Sequence, residues 1–267
     1  MKNVAELMSL KGRAALITGG AGHIGLAMAD ALAELGCDLV ILDRPGDGLD
    51  RAIENLKGKW QVRIEGLGLD LEDEAARSSV PQVVADRVGR LDVLINNAGF
   101  VGDSQLQGWV VPFEEQRIDT WRRCQEVNIT AVFHLSQILT PLLRASGHGS
   151  IVNISSIYGV VGPNLNLYTG TKMGNPAAYA ASKGGMVQLT RWMSTVLAPD
   201  VRVNCISPGG VFRNQAEAFL ERYEALTPMG RMGKEEDFKG AIAYFASDLS
   251  AYVTGQNLMV DGGWTAW

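Results

Sequence analysis

Cysteine is scarce in this chain, with Cys37, Cys124 and Cys205 as its only three. They are odd in number and far apart, so no disulfide framework is expected, and they read as reduced thiols of a cytoplasmic protein. Histidine is equally rare. His23, His134 and His148 show no i,i+4 pairing and no companion carboxylate motif, so no metal site is expected. No apolar run reaches the roughly 18 residues of a transmembrane helix. Met1 to Leu10 carries Lys2 and Glu6 and lacks a long apolar stretch, so it does not read as a signal peptide. Positive charge is not in excess either. A formal net charge of -5 gives no electrostatic reason to bind nucleic acid or an anionic membrane. There is no linker-like Pro/Gly/Ser tract and no internal repeat.

What is present is an alternation of apolar runs and helix-period segments over 267 residues, 46% of them hydrophobic. Strands are predicted at Ala14–Thr18, Asp38–Leu42, Val62–Leu69, Asp92–Ile95, Ser150–Ile154, Val201–Ile206 and Asn257–Val260. Helices are predicted at Ile24–Leu35, Ala75–Val88, Thr120–Leu143, Ala177–Leu197 and Phe238–Ala246; Pro81 interrupts the second or marks its late start, and Pro141 lies near the end of the third. Nearly continuous apolar strands alternating with helices imply an α/β fold. The expectation is a single Rossmann-type doubly wound parallel sheet with helices on both faces, residues 1–267 forming one domain. Ligands of such sheets bind beyond the carboxyl ends of the strands.

The first predicted strand runs into Thr18-Gly19-Gly20-Ala21-Gly22-His23-Ile24-Gly25. Glycines allow a tight turn and a close backbone approach to a pyrophosphate, and the next helix points its N-terminal N–H groups at that anion. Asp43 ends the next strand, eighteen positions past Gly25. A carboxylate there accepts hydrogen bonds from the adenosine-ribose hydroxyls and repels a 2′-phosphate, which favours NAD over NADP. Arg44 complicates this, since a guanidinium binds phosphate. Asp70, with Leu71, follows the third strand and is expected either near the adenine or as a helix N-cap. Asn97, Ala98 and Gly99 follow the fourth strand, small enough to lie against a cofactor.

Further motifs follow in order: Ser156, Tyr179-Ala180-Ala181-Ser182-Lys183, Pro208-Gly209 and Val253-Thr254-Gly255-Gln256 with Asp261-Gly262-Gly263. Together with the glycine turn and Asn96–Gly99, this set resembles the short-chain dehydrogenase/reductase family from about Leu10 to Gly263. The resemblance implies that Tyr179 exchanges the proton of the substrate alcohol or carbonyl while hydride passes to or from a nicotinamide. A free tyrosine, with a pKa near 10, is a poor base at neutral pH. Lys183 shares its helix face and is expected to lower that pKa and to hold the nicotinamide ribose. Ser156 would hydrogen-bond the reacting oxygen, Asn128 would support a water relay to the lysine, and Pro208, Gly209 and Val211 would lie against the nicotinamide.

Three features depart from the family pattern. The chain offers two Tyr-x-x-x-Lys matches, Tyr168…Lys172 at twelve positions past Ser156 and Tyr179…Lys183 at twenty-three. Spacing favours the first. Helix continuity favours the second, because Gly170, Gly174 and Pro176 interrupt any helix carrying Tyr168. Residues 165–176 then read as an insertion before the helix. His23 stands where glycine is common, and Gly210-Val211-Phe212-Arg213 replaces a threonine-bearing segment. Arg213 is expected either to meet an anionic substrate group or to lie exposed on a loop.

Two extended loops, 100–119 and 159–176, are expected beside the substrate and are rich in amides and hydroxyls. They suit a polar or sugar-like small molecule, and the chain resembles members of bacterial sugar pathways. The same motifs also fit an NADP-dependent carbonyl or 3-oxoacyl reductase, or a cofactor-binding regulator without turnover. The resemblance implies a homodimer or homotetramer. The apolar tail with Trp264 and Trp267 suggests a buried C-terminus.

Overall fold

The computed structural model of the chain describes residues 1–100, 102 and 106–267. Part of the predicted 100–119 loop, at 101 and 103–105, therefore lies outside the described residues. Seven strands form one sheet: β1 (Ala14–Thr18), β2 (Asp38–Asp43), β3 (Ile64–Gly68), β4 (Val93–Asn96), β5 (Gly149–Ile154), β6 (Val201–Pro208) and β7 (Asn257–Val260). Their order is β3-β2-β1-β4-β5-β6-β7 and every pairing is parallel. All residues of β1, β4 and β5 are buried, as strands covered on both faces must be.

Successive side chains point to opposite faces and feed two cores. On one face Ala15 and Ile17 meet Met28 and Leu32 of α2 (His23–Glu34), Leu49 and Leu56 of α3 (Asp47–Lys59), and Ile242 and Phe245 of α10 (Lys239–Ala246). On the other face Leu16 and Leu94 meet Val80 and Val84 of α5 (Val80–Val88), and Leu135 and Leu139 of α7 (Ala131–Ser146). Met193 of α8 (Ala177–Val196) joins them. Each fully buried Leu or Ile contributes about 1.5–3 kcal/mol relative to leaving it exposed. The strand order reverses between β1 and β4, which opens a crevice at their carboxyl ends.

Several elements differ from the sequence expectation. The Ala75–Val88 segment is two helices, α4 (Glu74–Ser78) and α5, meeting at Ser79 because Pro81 sits in the first turn of the second. The Thr120–Leu143 helix is α6 (Ile118–Gln125), a π-helical turn over Glu126–Thr130, and α7. Helices α1 (Val4–Met8), α3 and α9 (Glu217–Ala225) were not expected. The signal for α3 is present in the sequence: Leu49, Ala52 and Leu56 recur at helical spacing. Asp47 and Asp50 open it, and Lys57 and Lys59 close it, in keeping with the helix dipole. No helix among the described residues is long and apolar enough to cross a membrane.

Candidate active site

The glycine turn is built by close approach. Gly19 has φ 62, and a Cβ at Gly25 would lie 2.2 Å from the Gly19 carbonyl oxygen and 2.6 Å from Asn97 Nδ2. Only glycine fits both positions. Asn97 Nδ2 donates to the Thr18 and Gly19 carbonyls at 3.0 and 2.9 Å. Thr18 Oγ1 accepts from the Asn97 and Ala98 N–H groups, both at 3.1 Å. The β1 and β4 ends are thereby laced together. Gly22 caps α2, so that His23 opens the helix and its exposed ring stands at the mouth of the crevice. The turn is thus a cradle of backbone at a 12-residue helix N-terminus, the arrangement a dinucleotide pyrophosphate requires.

A cleft of about 840 Å³ runs from this turn across the sheet. Gly19, Gly22, His23, Ile24 and Gly25 form one wall, followed by Asp43, Arg44, Asp70 and Leu71. Asp43 accepts from the Ala21 N–H at 3.0 Å and from the Arg44 N–H at 2.8 Å, which ties the acid to the glycine turn. Asp70 accepts from the Glu72 N–H at 2.9 Å. The N-cap of α4 is Asp73, not Asp70, and it accepts from the Ala76 N–H at 3.0 Å. Asn97, Ala98 and Gly99 line the middle. Ser156, Tyr179, Lys183, Pro208 and Gly209 line the far end.

Tyr179 stands in the first turn of α8, entered from Pro176, and Lys183 follows one turn later. The two share a face, with Lys183 Nζ 5.6 Å from the Tyr179 ring centroid. Burial pushes the Tyr179 hydroxyl up to about 12, and the neighbouring Ser156 side chain opposes that rise. Burial holds Lys183 down to about 8. The expected lowering of the Tyr179 pKa by Lys183 is therefore not found in the chain alone. The ammonium is desolvated and donates to the Ile154 carbonyl at 2.8 Å, so it serves the carboxyl end of β5 rather than the phenol.

Asn128 lies in the π-helical turn, fully buried beneath the cleft. Its Nδ2 donates to Ser182 Oγ at 2.9 Å and to Cys124 Sγ at 3.4 Å, and its Oδ1 accepts from the Phe100 N–H at 2.6 Å. Its side chain anchors α8 and the chain after β4, and among the described residues no hydrogen bond joins it to Lys183. The second motif is placed elsewhere. Tyr168 ends a 3₁₀ turn, its hydroxyl 2.6 Å from that of Tyr158, while Lys172 is exposed. They share no helix.

Two further residues have local partners that the sequence did not indicate. Val211 is not among the cleft-lining residues. Its backbone bridges to Gly233 and its carbonyl accepts from Gln215 Nε2. Arg213 does line the cleft, but it is ion-paired with Glu235, which also lies 3.6 Å from His23 Nδ1. Some residues at the site were not anticipated. Ser155 Oγ donates to the Lys183 carbonyl at 2.8 Å, and Ser182 links Asn128 to the Tyr179 carbonyl. Ser182 lies inside the Tyr179–Lys183 motif and was findable there. Arg123, held by Glu72 and lying over the Phe100 ring, carried no sequence signal.

The chain is similar to known proteins along almost its whole length. A family model described as enoyl-(acyl carrier protein) reductase matches residues 19–265. A 3-oxoacyl-[acyl-carrier-protein] reductase of Thermotoga maritima is 34% identical, covering 96% of this chain and 99% of its own. A short-chain dehydrogenase from Leptospira borgpetersenii, solved with bound NAD+, is 32% identical with a TM-score of 0.84, covering 99% of this chain and 96% of that one. A gluconate 5-dehydrogenase from Burkholderia cenocepacia, solved with NADP and tartrate, is 30% identical with a TM-score of 0.86. It covers 99% of this chain and 100% of that one.

Proposed function

This chain belongs to the short-chain dehydrogenase/reductase family and is an oxidoreductase of alcohol and carbonyl groups. From that premise we propose that it passes a hydride between NAD(H) and a polar, sugar-like alcohol, with Tyr179 as the acid–base residue. One observation carries the reading: Ser156 and Tyr179, close enough for the serine to act on the phenol's ionisation, line the same cleft as the glycine cradle, with Lys183 one turn away. The whole chain, 1–267, then acts as one dinucleotide-binding and catalytic domain.

In this reading the cradle from Gly19 to Gly25 holds the pyrophosphate. Asp43 takes the adenosine ribose, Asp70 and Leu71 flank the adenine, and Pro208 and Gly209 back the nicotinamide. A bound nicotinamide supplies the hydride acceptor or donor. Tyr179 gives or takes the hydroxyl proton of the substrate, and Ser156 holds the same substrate oxygen in line. Lys183, fixed on the Ile154 carbonyl, presents its remaining N–H groups toward the cleft. Asn128 is a positioning residue, acting through Ser182 and the helix that carries Tyr179.

Asp43 supports NAD over NADP, since a second negative charge at the ribose would face its carboxylate. Exposed Arg44 beside it favours a second reading, an NADP-dependent carbonyl or 3-oxoacyl reductase. Three buried cysteines, none in a disulfide, suit the reducing cytoplasm, and the exposed apolar faces of the long helices suit a homodimer or homotetramer. A panel of sugars, polyols and acyl thioesters with each nicotinamide, followed at the reduced cofactor's absorbance, tests the proposal. Turnover of hydroxylated compounds, with a lower dissociation constant for NAD(H) than for NADP(H), is expected. Efficient turnover of acyl thioesters alone, with NADPH, would replace it with the second reading.

A further inference from the structure

Among the described residues, four buried side-chain atoms have no hydrogen-bond partner: Asn96 Oδ1, Asn175 Nδ2, Asn175 Oδ1 and Trp264 Nε1. Asn96 lies within the sheet, where its Nδ2 is shared by Asn153 and Ser136. The other three gather around Tyr158, outside the dinucleotide cleft. A buried polar atom left unpaired costs stability, and a cluster of three in a folded protein calls for a ligand that completes them.

The surroundings are an aromatic ring of rings. Tyr168 lies 5.6 Å from Phe219, Phe219 stacks on Tyr223 at 5.8 Å, and Tyr223 stacks on Trp264 at 5.9 Å. Trp264 meets the edge of Tyr158 at 6.5 Å, and the Tyr158 and Tyr168 hydroxyls close the circuit at 2.6 Å. The Asn175 amide is near enough to both hydroxyls to bias their ionisation, yet lies outside hydrogen-bond geometry with either. Tyr158 and Tyr168 are only half-buried, whereas the Asn175 amide atoms are buried.

This cluster adjoins the reacting centre. Tyr158 is two residues past Ser156, and its N–H donates to Ser156 Oγ at 3.2 Å. The Tyr158 and Tyr168 hydroxyls each interact electrostatically with other tyrosines of this region, Tyr179 included. The nearby charges do not suit an anion. Arg222 is committed to the Thr169 carbonyl at 2.6 Å and, more weakly, to those of Asn166 and Leu167. Lys172 is exposed, and the nearest acid, Asp261, is spent on its own turn while its charge faces Tyr223.

We propose that Asn175, Trp264 and the Tyr158–Tyr168 hydroxyl pair form a subsite for an uncharged hydroxyl group of the substrate, remote from the carbon that reacts at Tyr179. The subsite rests on the Tyr179 reading for its position, but it makes a separate claim about substrate class. An amide and two neutral phenols both give and accept hydrogen bonds, and an indole N–H gives one. Aromatic walls suit the face of a hydroxylated ring. The substrate is therefore a neutral cyclic polyol or sugar rather than a sugar acid or an acyl thioester. Tyr168 and Asn175 both come from residues 165–176, so this selectivity would reside in the segment before α8.

Three probes on one ring isolate the claim: cyclohexanol, the cyclohexanediol isomers, and 4-hydroxycyclohexanecarboxylate. At least one diol is expected to exceed cyclohexanol in kcat/KM by about tenfold or more, because a site built for a hydroxyl rejects the analogue lacking it. The carboxylate is expected at or below cyclohexanol. Tyr168→Phe removes one oxygen and Asn175→Leu the amide, and each should pull the diol-to-cyclohexanol ratio back toward one. Preference for the carboxylate, or a ratio unmoved in both variants, overturns the subsite. Binding of the same probes to the nicotinamide-loaded enzyme, by saturation-transfer NMR, separates the two readings. Diol binding that weakens in Tyr168→Phe without turnover in the wild type contradicts the role of Tyr179 and leaves the subsite standing. No diol binding overturns the subsite.

Discussion

Lys183 is a cation held where water does not reach it, 3% exposed and with its pKa lowered from 10.5 to about 8. The sign of its effect on stability follows from linkage. Between these two values the unfolded chain binds more protons than the folded one, so the Lys183 contribution to stability rises with pH across that window. Below about pH 8 the fold carries the full cost of a buried charge. A Lys183→Met protein should therefore melt above the wild type at pH 7. The gain is at most about 3 kcal/mol, less whatever the lost bond to the Ile154 carbonyl contributes. Scanning calorimetry from pH 7 to 10.5 should show the advantage closing. An equal difference at every pH would mean that the charge is not the cause. At this scale much was legible. Tyr179, Lys183 and Ser156 were named from motif order, and they meet at one cleft. The raised Tyr179 pKa was not legible, because desolvation depends on what packs around a residue and not on its neighbours in sequence.

The elements show the same division. Strands were found because a doubly covered sheet makes continuous apolar runs. The break at the π turn was missed because periodicity passes smoothly over it, whereas Pro81 marked the one between α4 and α5. The π-helical turn at Glu126–Thr130 inserts one residue into an otherwise uniform pattern, and it places Asn128 under the cleft. Its position is fixed from below by Arg77, whose fully buried guanidinium pairs with Glu126 at 2.7 Å and donates to the Leu71 carbonyl. One side chain thus joins α4, the π turn and the adenine end of the cleft. Arg77→Met should leave Glu126 and the Leu71 carbonyl without their partner and cost about 3–5 kcal/mol in urea unfolding. A loss under about 1 kcal/mol would show that the pair is only a surface contact in effect. The choice between the two Tyr-x-x-x-Lys motifs also belongs to this scale. Gly170, Gly174 and Pro176 told against a helix at Tyr168, and the chain there is a 3₁₀ turn and loop.

Over the whole molecule, apolar surface is left uncovered on neighbouring helices. Trp121 of α6, Phe133 of α7, and Trp192 and Val196 of α8 are all exposed, Trp192 by 55%. Buried aromatics of this size dominate interface energetics, and a single chain gains nothing by exposing four apolar groups on packed helices. Light scattering should give a dimer or tetramer, and Trp192→Glu should shift it toward the monomer. A monomeric wild type would contradict the proposed assembly. The tail is half as expected: Trp264 is buried in the aromatic cluster, but Trp267 is 79% exposed. Hydrophobicity alone could not tell these two apart, since the difference arises from which loop each one meets.

The central claim is that Tyr179, and not Tyr168, exchanges the proton. The direct measurement is single-turnover hydride transfer in Tyr179→Phe and Tyr168→Phe, with nicotinamide affinity measured in parallel. Tyr179→Phe should slow the transfer by about 10²- to 10⁴-fold while binding the cofactor as the wild type does. Tyr168→Phe should retain the transfer step, with its effect confined to substrate preference. Loss of hydride transfer in Tyr168→Phe with Tyr179→Phe still active would contradict the account.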